Sequence, residues 1–142
     1  MALVYFDSSA FVKLLVEEAG SDLAAELWDA ADATLSSRLA YPEVCAALAA
    51  AGQAGRLDRT GERAAQQSWL EFWSAARPVE LTAGVAQRAG ELASRYGLRG
   101  ADAVHLASAL ALDDPSLVVV AWDERLRSGV TAAGCALAPA SM

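Results

Sequence analysis

The 142-residue chain lacks a run long enough to cross a membrane as a helix. Its longest uninterrupted apolar stretch is Val44–Ala51, far short of the ~20 residues a span requires. Histidine and cysteine are scarce too: His105 stands alone, and Cys45 and Cys135 lie far apart. Neither a zinc-site spacing nor a disulfide framework can be drawn from them, and both cysteines sit among apolar neighbours that read as burying free thiols. Basic residues are few. Eleven Lys and Arg against 18 Asp and Glu leave a formal charge of −7, and Lys13 is the only lysine. That balance excludes the broad basic footprint typical of nucleic-acid binders. Met1–Asp7 has no basic segment and reaches an acid at once, so it does not read as a signal peptide. With no linker, low-complexity stretch or internal repeat, the expectation is one soluble, cytoplasmic domain over residues 1–142, with no membrane partner. Hydrophobic residues at 55% and charged residues at 20% supply a sizeable core and exclude a disordered chain.

What is present alternates in type. Ala2–Phe6 (ALVYF) and Leu117–Trp122 (LVVVAW) are continuous apolar runs, as expected of strands buried on both faces. Shorter strands are expected at Ala33–Ser36, Val79–Leu81 and near Cys135–Leu137. Between them lie helical patterns. Ser9 stands where an N-cap would, with Phe11, Leu14 and Leu15 following at helical spacing and Gly20 as the stop. Ser21 or Asp22 opens a helix carrying Leu23, Leu27 and Trp28. Further helices are expected over Arg38–Ala51, with Pro42 in its first turn, Leu57–Ala75, Thr82 to Tyr96, Ala101–Leu112 and Glu124–Ser128. Strands alternating with helices imply an α/β fold with a mostly parallel sheet covered by helices.

Both apolar strands end directly at an aspartate, Asp7 and Asp123. Sites in open parallel sheets form beyond the carboxyl ends of strands, so these two carboxylates are expected at one sheet edge. Each also has a plain structural reading as the cap of the next helix, a reading weaker for Asp7 because Ser8 and Ser9 already offer hydroxyls. Asp102 opens the helix after the Gly97/Gly100 break, and Glu43 lies inside an otherwise apolar helix. Four acids cannot gather unpaired, since like charges at short range raise one another's pKa. A hard divalent cation with oxygen ligands, Mg²⁺ or Mn²⁺, resolves the conflict, and a metal-activated water is a nucleophile suited to phosphoryl chemistry.

The strings DSSAFVKL from Asp7, YPEV around Glu43, RGADAVHLASAL around Asp102 and WDERL around Asp123 resemble the PIN-domain family. More closely, they resemble the toxin component of bacterial VapBC-type toxin–antitoxin pairs. The likeness runs from Asp7 to Leu126. It implies a three-layer α/β/α fold, Mg²⁺- or Mn²⁺-dependent endoribonuclease activity and inhibition of translation. It also implies a homodimer and neutralisation by a small, DNA-binding antitoxin. Asp7, Glu43, Asp102 and Asp123 match the family's acidic metal and catalytic site, and Ser9 matches the hydroxyl residue supporting the first acid. Where the family often has Thr or Ser two residues before the last acid, this chain has Ala121, which places Asp123 behind the others or on a second ion. Arg99 and Arg125, close in sequence to Asp102 and Asp123, are candidates to meet RNA phosphates.

His105, three residues after Asp102, lies on the same helix face. It reads first as a packed, locally bonded histidine and only second as a general base. Trp28, Trp69, Phe72 and Trp73 read as core, then as a groove for a partner helix or dimer face, then as stacking platforms for bases. Two rival readings remain. A phosphohydrolase with Asp7 as nucleophile needs an acid two residues on, where Ser9 stands. A non-catalytic RNA- or protein-binding module would use the same acids only as helix caps.

Overall fold

The computed structural model describes residues 2–142; Met1, part of the stretch read for a signal peptide, lies outside them. Five strands form one parallel sheet: β1 (Leu3–Phe6), β2 (Ala33–Ser37), β3 (Arg77–Val79), β4 (Val118–Val120) and β5 (Ala136–Ala138), in the order β3-β2-β1-β4-β5. The helices are α1 (Ser8–Leu15), α2 (Ser21–Ala30), α3 (Ala40–Gln53), α4 (Arg59–Ala75), α5 (Ala83–Tyr96), α6 (Gly100–Leu110) and α7 (Glu124–Ala132).

The sheet separates two apolar layers, as the period-2 alternation of its strands requires. Val4, Phe6 and Val120 face one layer, with Phe11 of α1, Val44 and Leu48 of α3 and Trp69 of α4. Tyr5, Val119 and Ala121 face the other, with Leu92 of α5, Leu106 of α6 and Leu126 and Val130 of α7. The architecture is therefore the expected three-layer α/β/α sandwich. Trp69 is core; Trp28, Phe72 and Trp73 are half-buried against it. Among the described residues no helix is long and apolar enough to cross a membrane.

Several local expectations need correction. The first helix begins at Ser8 and is capped by Asp7, not Ser9. Asp7 has extended backbone (φ −80°, ψ 179°), the N-cap conformation, and its side chain accepts from Ala10 N; Ser9 is already helical. That helix ends at Leu15, and Gly20 instead caps α2 at φ +96°. A Cβ on Gly20 would lie 2.9 Å from the Trp122 indole, so the position serves both the backbone turn and a close side-chain approach. Strand β3 covers Arg77–Val79 rather than Val79–Leu81. Pro78 argues against a strand in sequence, but β3 is an edge, where a missing N–H is tolerated. Helix α7 runs through Gly129 instead of stopping before it. A Cβ there would meet Leu98 at 2.9 Å, so this glycine marks close packing, not an end. Cys45 is exposed and Cys135 half-exposed; the α3 turn buries Val44 and Leu48 and points Cys45 outward.

Candidate active site

Neighbouring strands β1 and β4 run parallel with Phe6 beside Val120, so the segments leaving them emerge together. The chain turns to opposite sides of the sheet from this pair, which opens a crevice at the carboxyl ends. Asp7 leaves β1 and Asp123 follows β4. Asp7 and Asp123 cap α1 and α7, while Glu43 and Asp102 lie in the first turns of α3 and α6. Each carboxylate thus faces a positive helix end, which offsets part of their mutual repulsion. Asp7 and Asp123 therefore do cap helices, and both carboxylates also border the crevice. All four acids line one open cavity of about 540 Å³, together with Ser9, Lys13, Arg99, His105 and Trp122.

Every one of the four acids is held by a side-chain partner. Asp7 is 2% exposed. Its Oδ1 accepts from Ser9 Oγ at 2.7 Å and from Ala10 N at 2.9 Å. Ser9 Oγ in turn accepts from Trp122 N at 2.9 Å, which ties the exit of β4 to that of β1. Among the described residues Asp7 has no cationic partner. Burial pushes its carboxyl up to about 6, aided by the charge of Glu43; His105, the Ser9 hydroxyl and the Ala10 N–H pull the other way.

Asp102 and Asp123 share a counter-ion. Arg99 Nε lies 3.0 Å from Asp102 Oδ2, and Arg99 Nη2 lies 3.0 Å from Asp123 Oδ2. Hydrogen bonding to Asp102 and the pull of both carboxylates hold the guanidinium firmly protonated. Glu43 is held by His105, Nε2 to Oε1 at 2.6 Å. The histidine is packed in its helix, as its first reading has it, but its partners are distant in sequence rather than local. Arg125 is exposed and is not among the residues lining the cavity.

Two residues that the sequence did not single out belong to the site, Tyr5 buried behind His105 and Lys13 on the cavity wall. Tyr5 looked like one apolar strand residue among five. Lys13 pairs with Glu18 at 3.0 Å and lies over the Trp122 ring, 5.6 Å from its centroid. Lys13 had a faint signal, as the one lysine in an arginine-using chain; Tyr5 had none.

A divalent ion suits this donor set in chemistry. The wall supplies carboxylate oxygens, and the most buried of them lacks a counter-charge. The set is not preassembled: among the described residues no three His, Cys, Asp or Glu side chains stand close enough to hold one ion. Arg99 pairs with Asp102 and Asp123, and His105 bonds one oxygen of Glu43.

The PIN domain model matches residues 4–128. Ribonuclease VapC49 of Mycobacterium tuberculosis (strain ATCC 25618 / H37Rv) is 63% identical over 142 residues, covering 100% of this chain and 99% of that protein. Among solved structures, VapC20 of Mycobacterium tuberculosis, a sarcin-ricin loop cleaving toxin, superposes with a TM-score of 0.68 at 20% identity, covering 93% of this chain and 95% of that one. VapBC2 of Rickettsia felis, bound to a promoter DNA fragment, gives 0.63 at 15% identity over 95% and 96% of the two chains. These likenesses agree with the layer order and the convergent acids: the chain belongs to the PIN-domain family, as a VapC-type member.

Proposed function

We propose that this protein is the toxin of a type II toxin–antitoxin pair, a Mg²⁺- or Mn²⁺-dependent endoribonuclease. The observation that carries this reading is the convergence of Asp7, Glu43, Asp102 and Asp123 on one open cavity, with Asp7 buried and without a cation. Full-length identity of 63% to a protein named a ribonuclease supports the activity, and divalent-metal dependence is general among PIN ribonucleases. Asp7, Asp102 and Glu43 would hold the ion, with Asp123 behind them or on a second one. When bound, such an ion supplies an activated water and stabilises charge on the phosphoryl oxygen. The protein's own share is positional. Ser9 and the Ala10 N–H orient one oxygen of Asp7, Oδ1. Arg99, half-exposed on the wall, is placed to take up an RNA phosphate once it leaves the acids. Cleavage of RNA by the purified protein, measured beside Asp7→Asn, tests the assignment.

We further propose a small DNA-binding antitoxin as partner, a homodimer and a cytoplasmic location. The net charge of −7 suits a basic partner. An open apolar hollow lined by Leu39, Tyr41, Pro42, Trp73 and Leu81 offers surface for one.

Two expectations follow for metal binding. Asp7 must be ionised to hold the ion, and its pKa is raised to about 6. Mn²⁺ affinity therefore falls as pH drops below 6, by nearly tenfold per unit, and levels off above 7. Calorimetry between pH 5 and 8 reads this directly; a flat profile would contradict it. The metal-free fold behaves oppositely. With the folded pKa above the unfolded one, Asp7's contribution to stability is present below about pH 4 and is lost as pH rises through 6.

Arg99 competes with the ion for Asp102 and Asp123. Arg99 reaches solvent, where screening keeps such pairs weak. Arg99→Gln is expected to tighten Mn²⁺ binding by about twofold to tenfold. Weaker binding in that variant would show that Arg99 holds the acids in place instead.

A further inference from the structure

Glu43 is the cavity acid whose anchor reaches deepest into the fold. His105 is 3% exposed and sits between the two halves of that anchor. Its Nε2 is 2.6 Å from Glu43 Oε1, and its Nδ1 is 2.8 Å from the Tyr5 hydroxyl. The Tyr5 hydroxyl accepts from the Ser37 backbone N–H at 3.0 Å. The chain of contacts thus begins on β2, crosses β1 and α6, and ends on α3.

With a neutral ring, one order of donors and acceptors satisfies all three contacts. A backbone N–H can only donate and an ionised carboxylate can only accept. Ser37 N–H therefore gives its hydrogen to Tyr5 Oη. A single ring proton, on Nε2, then satisfies every remaining contact: Tyr5 O–H donates to Nδ1, and Nε2–H donates to Glu43 Oε1. Among the described residues Glu43 Oε2 has no hydrogen bond and remains available in the cavity.

We propose that Tyr5 and His105 are positioning residues of the metal site: through one ordered hydrogen-bond chain they fix Glu43 Oε1 to the sheet and present Oε2 to the cation. The inference rests on the reading of Glu43 as a metal-holding residue. Its sequence separations, 62 between His105 and Glu43 and 100 between Tyr5 and His105, make it a product of the tertiary fold. Partners behind metal-holding groups are commonly worth 10–100-fold in affinity. The Tyr5 hydroxyl also selects the ring tautomer: without it, the ring proton is free to move to Nδ1, and Glu43 loses its donor.

The test uses the full chain and Mn²⁺ alone, with affinity read by calorimetry and fold by thermal melting. Tyr5→Phe keeps the ring in the core and removes the hydroxyl. It is expected to weaken Mn²⁺ binding about tenfold while the folded signal persists. His105→Gln retains an N–H near the Nε2 position and should hold affinity within about threefold of the parent, whereas His105→Leu should lose about tenfold or more. Should His105→Leu not fold, Tyr5→Phe still decides. Glu43→Gln is the control on the underlying reading. If it leaves Mn²⁺ affinity unchanged, Glu43 does not hold the ion and the reading itself fails. If Glu43→Gln weakens binding but Tyr5→Phe does not, the positioning chain is overturned and the metal site stands. Equal loss in His105→Gln and His105→Leu also overturns it.

Discussion

Asp7→Asn loses RNA cleavage by a factor on the order of 10²–10³, while its metal-free form melts at a higher temperature than the parent. The loss follows from charge. Asn keeps the shape of Asp7 and an oxygen able to accept from Ser9 and Ala10, so the cap of α1 survives. What disappears is the buried negative charge that attracts a divalent ion, and removing one preorganised electrostatic group from a site costs about that factor. The gain follows from the same burial. The pKa of Asp7, about 6 against an ordinary 3.8, means that the folded chain strains to keep this group ionised above neutrality. Removing the charge relieves up to about 3 kcal/mol at pH 8, which appears as several degrees in the melting midpoint. Opposite signs in the two readouts mark a residue kept for chemistry at the expense of stability. Equal cleavage by parent and variant would falsify the nuclease assignment; a lower melting temperature would overturn the desolvation argument.

The largest effect on stability is expected at Phe11. This fully buried ring lies on α1, between the site and the apolar layer. Its centroid is 4.9 Å from Trp69, 5.4 Å from Phe6 and 6.0 Å from Trp28, each in an edge-to-face arrangement. Phe11→Ala removes the piece common to these contacts and leaves a cavity whose walls are large, stiff rings that cannot collapse into it. The cost is about 3–5 kcal/mol, a large share of the 5–15 kcal/mol that holds a typical domain together. Urea unfolding measures it. Leu70→Ala on α4, with Leu70 half-exposed, serves as the comparison and should stay within about 0.5 kcal/mol. A loss below about 1 kcal/mol at Phe11 would show that the layer repacks. Because α1 also carries Ser9 and Lys13, the surviving Phe11→Ala protein should bind Mn²⁺ less tightly as well.

The charge balance had a narrower meaning than it first suggested. A formal −7 excludes a broad basic surface, and Lys13 and Arg99 are the cationic side chains on the cavity wall. Acids gathered around a cation site do not repel a polyanion in the way that scattered surface acids do. On the proposed reading, attraction for RNA would arise at the site, from a bound ion and these two side chains.

The fold was largely written in local pattern. The apolar runs ending at Asp7 and Asp123 identified the two central strands, because a strand buried on both faces cannot alternate with polar residues. The helical periods matched the helix count, and the alternation of strands with helices implied a parallel sheet covered by helices. The four acids were legible as a set, since two end strands, Asp102 opens a helix and Glu43 stands inside an otherwise apolar one. Where local signals competed, sequence was a poorer guide. Asp7, Ser8 and Ser9 can all cap a helix, and only the extended backbone after β1 assigns the role to Asp7. Pro78 and Gly129 look like breakers, and only an edge strand and a contact with Leu98 show why they are not.

By itself, then, the sequence determined the central strands, the apolar faces of most helices and which carboxylates stand at strand ends, because these depend on spacings of a few residues. The tertiary structure alone decided who holds whom: Arg99 between Asp102 and Asp123, Ser9 between Asp7 and Trp122, and Ser37, Tyr5 and His105 behind Glu43. Hydrogen bonds and ion pairs act over about 3 Å, while several of these partners lie tens of residues apart in the chain, and no local pattern encodes a meeting that depends on how parallel strands are ordered in a sheet.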